Sequence, residues 1–345
     1  MGSVKDLLVK KSPSREELGV GEFVFSDRYS VFDWGEMPDR IPDKGKVLAL
    51  MGGYNFELLE DSGLKTHYRG LGKEGEPVRV DELASPTDTM TISLAHKPEV
   101  RYRQGSYHYE DLAGRKNFLI PLEIVFRNYV PGGSSLRERC LPEEVGLERR
   151  EWPEEEVELE NPVVEFSTKL ERQDRYLDEE RAFAISGLSR EEFEELETIA
   201  RKVNRLLTER AKERGFKHLD GKIECIYVSG EILIADVAGT FDENRFSYAG
   251  SSVSKEVLRS WYKNEDREWY EEVVEAKEKA RRDEVGAWRK LVETEPRDLP
   301  GELLELVGNL YRAGGNQWLK KEAFEAPELP EIMEDLERWK KKTNS

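Results

Sequence analysis

Cysteine, histidine, net positive charge and long apolar runs are all scarce or lacking in this chain, and each shortage removes a class of function. Of 345 residues, two are cysteine and four are histidine. Cys140 and Cys225 cannot build a disulfide framework or a thiolate zinc site by themselves, and their number suits a reducing cytoplasm. His67, His96, His108 and His218 are scattered without paired metal-ligand spacing, so each is expected to be structural or exposed. No apolar run reaches membrane-spanning length, and Met1 to Asp6 lacks a signal-peptide core. The formal net charge is −18 with 37% charged residues, which argues against non-specific nucleic-acid binding. No Walker A, GxGxxG or GxSxG string occurs. Chemistry must then come from carboxylates, Lys, Arg and backbone. If the ligands are anions, cations must be gathered at one place against the global field.

What is present suggests an α+β chain of one large domain or two intimate ones. Residues 1–120 read as β-rich, with Gly21–Phe25 and Lys46–Leu50 as short apolar runs. Tyr54 to Leu59 opens a helix that ends near Gly63. Leu119 to Tyr129 is a strand, followed by the turn Pro131-Gly132-Gly133-Ser134-Ser135. Residues 141–162 are Glu- and Pro-rich and read as a surface excursion. Ser189 with Glu192 forms a capping box for a helix running to about Arg214, closed by Gly215. Ser254 to Trp288 and Pro300 to Tyr311 read as further helices, and the charged tail from Asn316 packs a short helix or frays. Trp34, Trp261 and Trp269 read as packing residues.

One hairpin concentrates charge inside apolar strands: Asp220-Gly221-Lys222-Ile223-Glu224 and Glu231 to Asp236. A two-residue turn would put Glu224 and Asp236 on opposite faces. A three-residue loop, Val228-Ser229-Gly230 with Gly230 left-handed, shifts the register by one and puts Lys222, Glu224 and Asp236 on one face. Two carboxylates and an ammonium on a half-buried sheet suit Mg²⁺ with a polyphosphate, because hard cations prefer oxygen donors. A solvated face with ordinary salt bridges accounts for the hairpin alone at least as well.

Ordered strings along the chain carry more. Ser26-Asp27-Arg28-Tyr29-Ser30-Val31-Phe32-Asp33 precedes Ile41-Pro42-Asp43-Lys44-Gly45. Pro121 to Tyr129 and Gly133-Ser134-Ser135 follow, then Phe166-Ser167-Thr168-Lys169, then the hairpin. Asp242-Glu243-Asn244-Arg245-Phe246 and Ser254 to Trp261 complete the set. Together these resemble the SAICAR synthetase family (phosphoribosylaminoimidazole-succinocarboxamide synthases), over roughly residues 26–261. The chain departs from the family pattern at Ser3, where a basic residue is usual, and at Val237, where a second carboxylate is usual.

The resemblance implies a two-lobed α+β fold: a small antiparallel β lobe over ATP (1–120), a larger α/β lobe (121–315) and a charged tail (316–345). It implies an ATP- and Mg²⁺-dependent ligase joining the imidazole ribotide CAIR to L-aspartate through an acyl phosphate. Neither nucleic acid nor membrane is an implied partner, and a homo-oligomer stays open. Glu224 and Asp236 would hold Mg²⁺. Lys5, Leu119, Pro121, Lys222 and Glu224 would bind ATP. Arg127, Ser134 or Ser135, Arg245, Lys255 and Arg259 would bind CAIR and aspartate, as bidentate oxyanion ligands where Arg serves. Asp33, Lys44 and Lys169 would sit at the reacting centre. Taken singly, Arg127 reads as an ion-pair partner, Lys255 and Arg259 as a solvated helix face, and Asp33 as a turn residue; only their order links them. The alternatives are a sister carboxylate–amine ligase with another substrate, or a nucleotide-binding protein without turnover.

Overall fold

The structure is a computed structural model that describes residues 4–72, 76–283 and 288–343. Gly2 and Ser3 of the N-terminal loop, and residues 284–287 of the helix expected to reach Trp288, lie outside the described residues.

The first sheet comprises β1 (Lys5–Lys11), β2 (Gly19–Phe25), β3 (Tyr68–Leu71) and β4 (Thr89–Leu94), in the antiparallel order β1-β2-β4-β3. Between β2 and β3 runs α1 (Lys44–Asp61). The expected apolar run Lys46–Leu50 therefore lies inside a helix that starts at Lys44, ten residues before the expected start at Tyr54. The cause is burial: Val47 to Met51 are all shielded, so the segment shows no helical period. Gly45 is required there, since a Cβ would stand 2.8 Å from the Phe25 carbonyl oxygen.

A small hairpin, β5 (Val100–Arg103) and β6 (Ser106–Tyr109), leads to the larger antiparallel sheet. Its strands are β7 (Asn117–Val130), β8 (Val157–Thr168), β9 (Tyr176–Leu177), β10 (Phe216–Val228), β11 (Glu231–Ala235), β12 (Asn244–Tyr248) and β13 (Ser251–Ser252). The order is β13-β12-β10-β7-β8-β9, with β11 also on β10. Between β9 and β10 come α2 (Glu179–Ser186) and α3 (Arg190–Glu213). Ser189 caps α3 as expected, accepting from Glu192 N, and the Phe193, Leu196, Ala200, Val203 and Leu207 stripe is buried. β7 alternates: Phe118, Ile120, Leu122, Ile124 and Phe126 are all 0% exposed, leaving Leu119, Pro121, Glu123, Val125 and Arg127 for the other face.

The remaining helices are α4 (Glu256–Glu265), α5 (Arg267–Asp283), α6 (Gly301–Leu319) and α7 (Leu329–Thr343). The tail thus ends in a packed helix: Leu329, Ile332, Met333 and Leu336 of α7 are buried. Residues 131–156 form a loop with two 3₁₀ turns over a small separate core of Val130, Leu136 and Leu159.

The two sheets meet where Thr66 bridges Ile234 in parallel and His67 N donates to the Ile234 carbonyl at 2.9 Å. On the edge of β10 away from β7, β12 pairs residues 216–221 and β11 pairs residues 224–228. The segment 236–243 crosses at the seam between them, beside Lys222.

Candidate active site

The hairpin register differs from the expected one. Val228 pairs with Glu231 and Glu224 with Ala235, so the turn has two residues, Ser229 (φ 50°) and Gly230 (φ 94°). Positive φ at both turn positions is the hairpin geometry that matches strand twist. Strict alternation would then carry Asp236 to the face opposite Glu224. It does not, because Asp236 itself is left-handed (φ 58°) and ends the strand. The shared carboxylate site that the sequence reading sought through a turn is made by a backbone reversal at Asp236.

Around that reversal, charges converge from five elements. Lys5 of β1 sits 2.7 Å from Asp236. Lys169, just after β8, reaches Glu224 at 2.6 Å and Glu123 at 3.0 Å. Lys222 reaches Glu123 at 2.9 Å, Glu243 at 3.2 Å and Glu224 at 3.3 Å. Glu123 and Glu224 are direct cross-strand partners, a like-charge pairing that would be unfavourable without the ammoniums between them. Three ammoniums meet four carboxylates here. Burial, with Asp236 next, raises the Glu224 carboxyl to about 7. Burial also works against Asp236, but Lys5, then Lys222 and Lys169, hold it well below the ordinary carboxylate range. The lysines are raised in turn by these carboxylates, against their own burial.

Glu123 and Glu243 were not singled out from the sequence. The signal for Glu123 is its period-two relation to Arg127 on one strand face. For Glu243 no local signal exists, since only the seam brings it to Lys222. Val237, the expected second carboxylate position, is 3% exposed and packs toward α1, its Cγ1 lying 3.1 Å from where a Gly52 Cβ would stand. It faces the core, so it takes nothing from the Glu224 and Asp236 pair.

A second group lines an adjoining cavity of about 380 Å³. Asp220 lies opposite Arg127 on β7 and Arg245 on β12. Arg245 grips Asp220 through two nitrogens, Nε at 2.8 Å and Nη2. Arg127 donates from Nε to Glu165 at 2.6 Å, from Nη1 to Asp220 and Ser134 at 3.4 Å each, and from Nη2 to the Tyr176 hydroxyl at 2.9 Å. Ser134 and Ser135 separate cleanly. The Ser134 hydroxyl is buried, accepting from Arg127 and Leu136 N. Ser135 lines the cavity with Lys255 and Arg259. Burial pushes the Lys255 ammonium down against the pull of Asp242. Arg259 pairs with Glu256 of its own helix. Gly221 permits the crowding, as a Cβ would stand 2.0 Å from Asn244 Nδ2.

Lys44 is placed differently from the other expected residues. It is 0% exposed, 2.7 Å from Asp242, and donates to the Arg28 carbonyl at 3.1 Å. Tyr311 donates to the other Asp242 oxygen at 2.7 Å. Lys44 therefore holds the 236–243 segment from behind. Leu119 and Pro121 lie on the cleft-facing side of β7; Leu119 N donates to the His96 carbonyl and the Pro121 carbonyl accepts from Lys169 N. Asp33 is left-handed (φ 57°) and its exposed carboxylate pairs with Lys277 at 2.6 Å.

The chain as a whole has counterparts among known proteins. The SAICAR synthetase family model matches residues 9–276. The chain belongs to the SAICAR synthetase family. A protein of Archaeoglobus fulgidus, provisionally named a phosphoribosylaminoimidazole-succinocarboxamide synthase, is 43% identical over 343 residues, covering 97% of this chain and 98% of its own. Among solved structures, the SAICAR synthase of Saccharomyces cerevisiae, complexed with SAICAR, superposes with a TM-score of 0.61 at 19% identity, over 93% of this chain and 94% of that one. A type-2 SAICAR synthetase in complex with ADP gives 0.53 at 24% identity, over 75% of this chain and 88% of that one. At these identities both structures speak for the fold. The two-lobed α+β architecture expected from the resemblance is the observed one.

Proposed function

We propose that this chain is an ATP-dependent ligase that condenses CAIR with L-aspartate to give SAICAR. The observation that carries the proposal is the seam between β11 and β12, where Lys5, Lys169 and Lys222 meet Glu123, Glu224, Asp236 and Glu243. A polyphosphate needs such cations, and the excess carboxylate needs a further cation. Among the described residues no three His, Cys, Asp or Glu side chains are grouped so as to hold a metal by themselves. The Glu224 and Asp236 pair instead fits Mg²⁺, which is commonly held by one or two carboxylates with phosphate oxygens and water completing the shell. Bound there, Mg²⁺ would neutralise charge on the transferring phosphate.

The chain's own residues supply the rest. Leu119 and Pro121 flank the adenine. Lys5 and Lys222 contact the ATP phosphates, and Lys169 follows the phosphate to the acceptor carboxylate. Arg245, Lys255, Arg259 and Ser135 take the ribotide phosphate and carboxylate in the 380 Å³ cavity. Arg127, with Ser134 behind it, fixes one wall. Asp33, within electrostatic reach of Arg259 and Lys255, stands near the incoming amine. Phosphorylation of the CAIR carboxylate gives an acyl phosphate, and the aspartate amine displaces phosphate from it. Positioning and charge neutralisation lower both barriers, with no covalent enzyme intermediate. The small lobe, residues 1–120, would cover ATP, and residues 121–315 would carry the substrate cations.

Full-length protein with Mg-ATP and CAIR, assayed for ADP with and without L-aspartate, tests this. Aspartate-dependent ADP release that Asp236→Asn abolishes is expected. Release equal with and without aspartate, or none at all, refutes the ligase.

A further inference from the structure

Asp33 sits in an unusual backbone setting, and what holds it lies outside the strings that identify the family. Phe32 (φ 52°) and Asp33 (φ 57°) are consecutive left-handed residues, neither of them glycine. Such conformations persist only where the surroundings over-determine them, and they cluster at functional sites. The surroundings here come from α5 and the 3₁₀ turn Trp288–Leu291. Lys277 Nζ is 2.6 Å from Asp33 Oδ2. Arg289 donates twice to the Asp33 carbonyl, from Nε at 3.1 Å and Nη2 at 2.5 Å. The flanking rings seal the loop to the same segment: Trp34 packs edge-on to Trp269 at 5.5 Å and against Trp288 at 6.0 Å, and Phe32 lies 4.9 Å from Tyr270. Lys277 and Arg289 also lie over the Trp288 ring, at 5.1 and 5.6 Å. The family match ends at residue 276, just before both cations.

We propose that Lys277 and Arg289 are positioning residues for the ligation, a two-point clamp that holds Asp33 left-handed and its carboxylate in one place. Arg289 fixes the backbone and Lys277 fixes the side chain. Neither touches substrate; both act through Asp33. The clamp rests on the reading that Asp33 takes part in the reaction.

Lys277→Met, Arg289→Met and Asp33→Asn, singly and as the pairs with Asp33→Asn, separate the two ideas in the full-length enzyme. Each clamp variant is expected to lower kcat about tenfold, as misplacement of a reacting group does, with the KM for ATP unchanged. Lys277→Arg should recover most of the loss. In the Asp33→Asn background neither clamp variant should lower kcat further, which is the signature of residues acting through one group. Full activity in both clamp variants, or the same fold-loss with and without Asp33, overturns the clamp. Wild-type turnover in Asp33→Asn refutes the role given to Asp33 above, and the clamp falls with it. If Arg289→Met does not fold, Lys277→Met against Lys277→Arg carries the same comparison.

Discussion

Replacing Lys44 by Met should unfold this protein more readily than its isosteric size suggests. The Lys44 ammonium is fully buried against Asp242, itself held by Tyr311. Removing one partner of a buried ion pair leaves an uncompensated charge, which typically costs about 3–5 kcal/mol. Asp242 retains Lys255 within electrostatic reach and the Tyr311 hydroxyl, so the low end, about 3 kcal/mol, applies. With an m-value of about 4 kcal/mol/M for a chain of this size, the urea midpoint should fall by about 0.8 M. Adding Asp242→Asn should restore at least half of that loss, because the orphaned charge disappears with its partner. Ligand-free urea unfolding of the wild type, both single variants and the double variant measures this. A Lys44→Met midpoint within about 0.2 M of wild type, or a double variant less stable than Lys44→Met, would refute the reasoning.

Three further outcomes follow from other sites. Burial holds His218 neutral with its pKa lowered to about 4, so the unfolded chain binds the extra proton first; stability should fall by about 3 kcal/mol as pH drops from about 6.5 to 4. Urea midpoints across that range should lose this component of the slope in His218→Gln. Gly230 has nothing within 4 Å of a would-be Cβ but a φ of 94°, so Gly230→Ala should cost only backbone strain, about 1 kcal/mol by thermal unfolding. Glu123→Gln relieves the like-charge contact with Glu224 but takes a partner from Lys169 and Lys222. Ligation should fall by at least about tenfold while the fold survives, measured as aspartate-dependent ADP release.

Where local pattern decides conformation, the sequence was legible. The Ser189 and Glu192 capping box, the α3 stripe and the β7 strand all formed where expected, because cap chemistry and periodicity act within a few residues. Where burial is complete, the pattern vanished: Val47 to Gly53 of α1 are all buried, and this apolar run carried no period to separate helix from strand.

The site divides along the same line. Sequence alone placed Lys222, Glu224, Asp236, Arg245 and Lys255 in one ordered family set, since their spacing along the chain is covalent. Tertiary structure decided how they meet. The left-handed Asp236, not the turn length, brings the two carboxylates together, and a single φ angle is invisible to strand alternation. The split of the β10 edge between β11 and β12 delivers Glu243 to Lys222, and long-range pairing alone could do so. Burial separated Ser134 from Ser135 and sent Lys44 behind the cleft wall. Residue identity fixed which charges the chain carries; the packing of two sheets across one seam fixed which of them face each other.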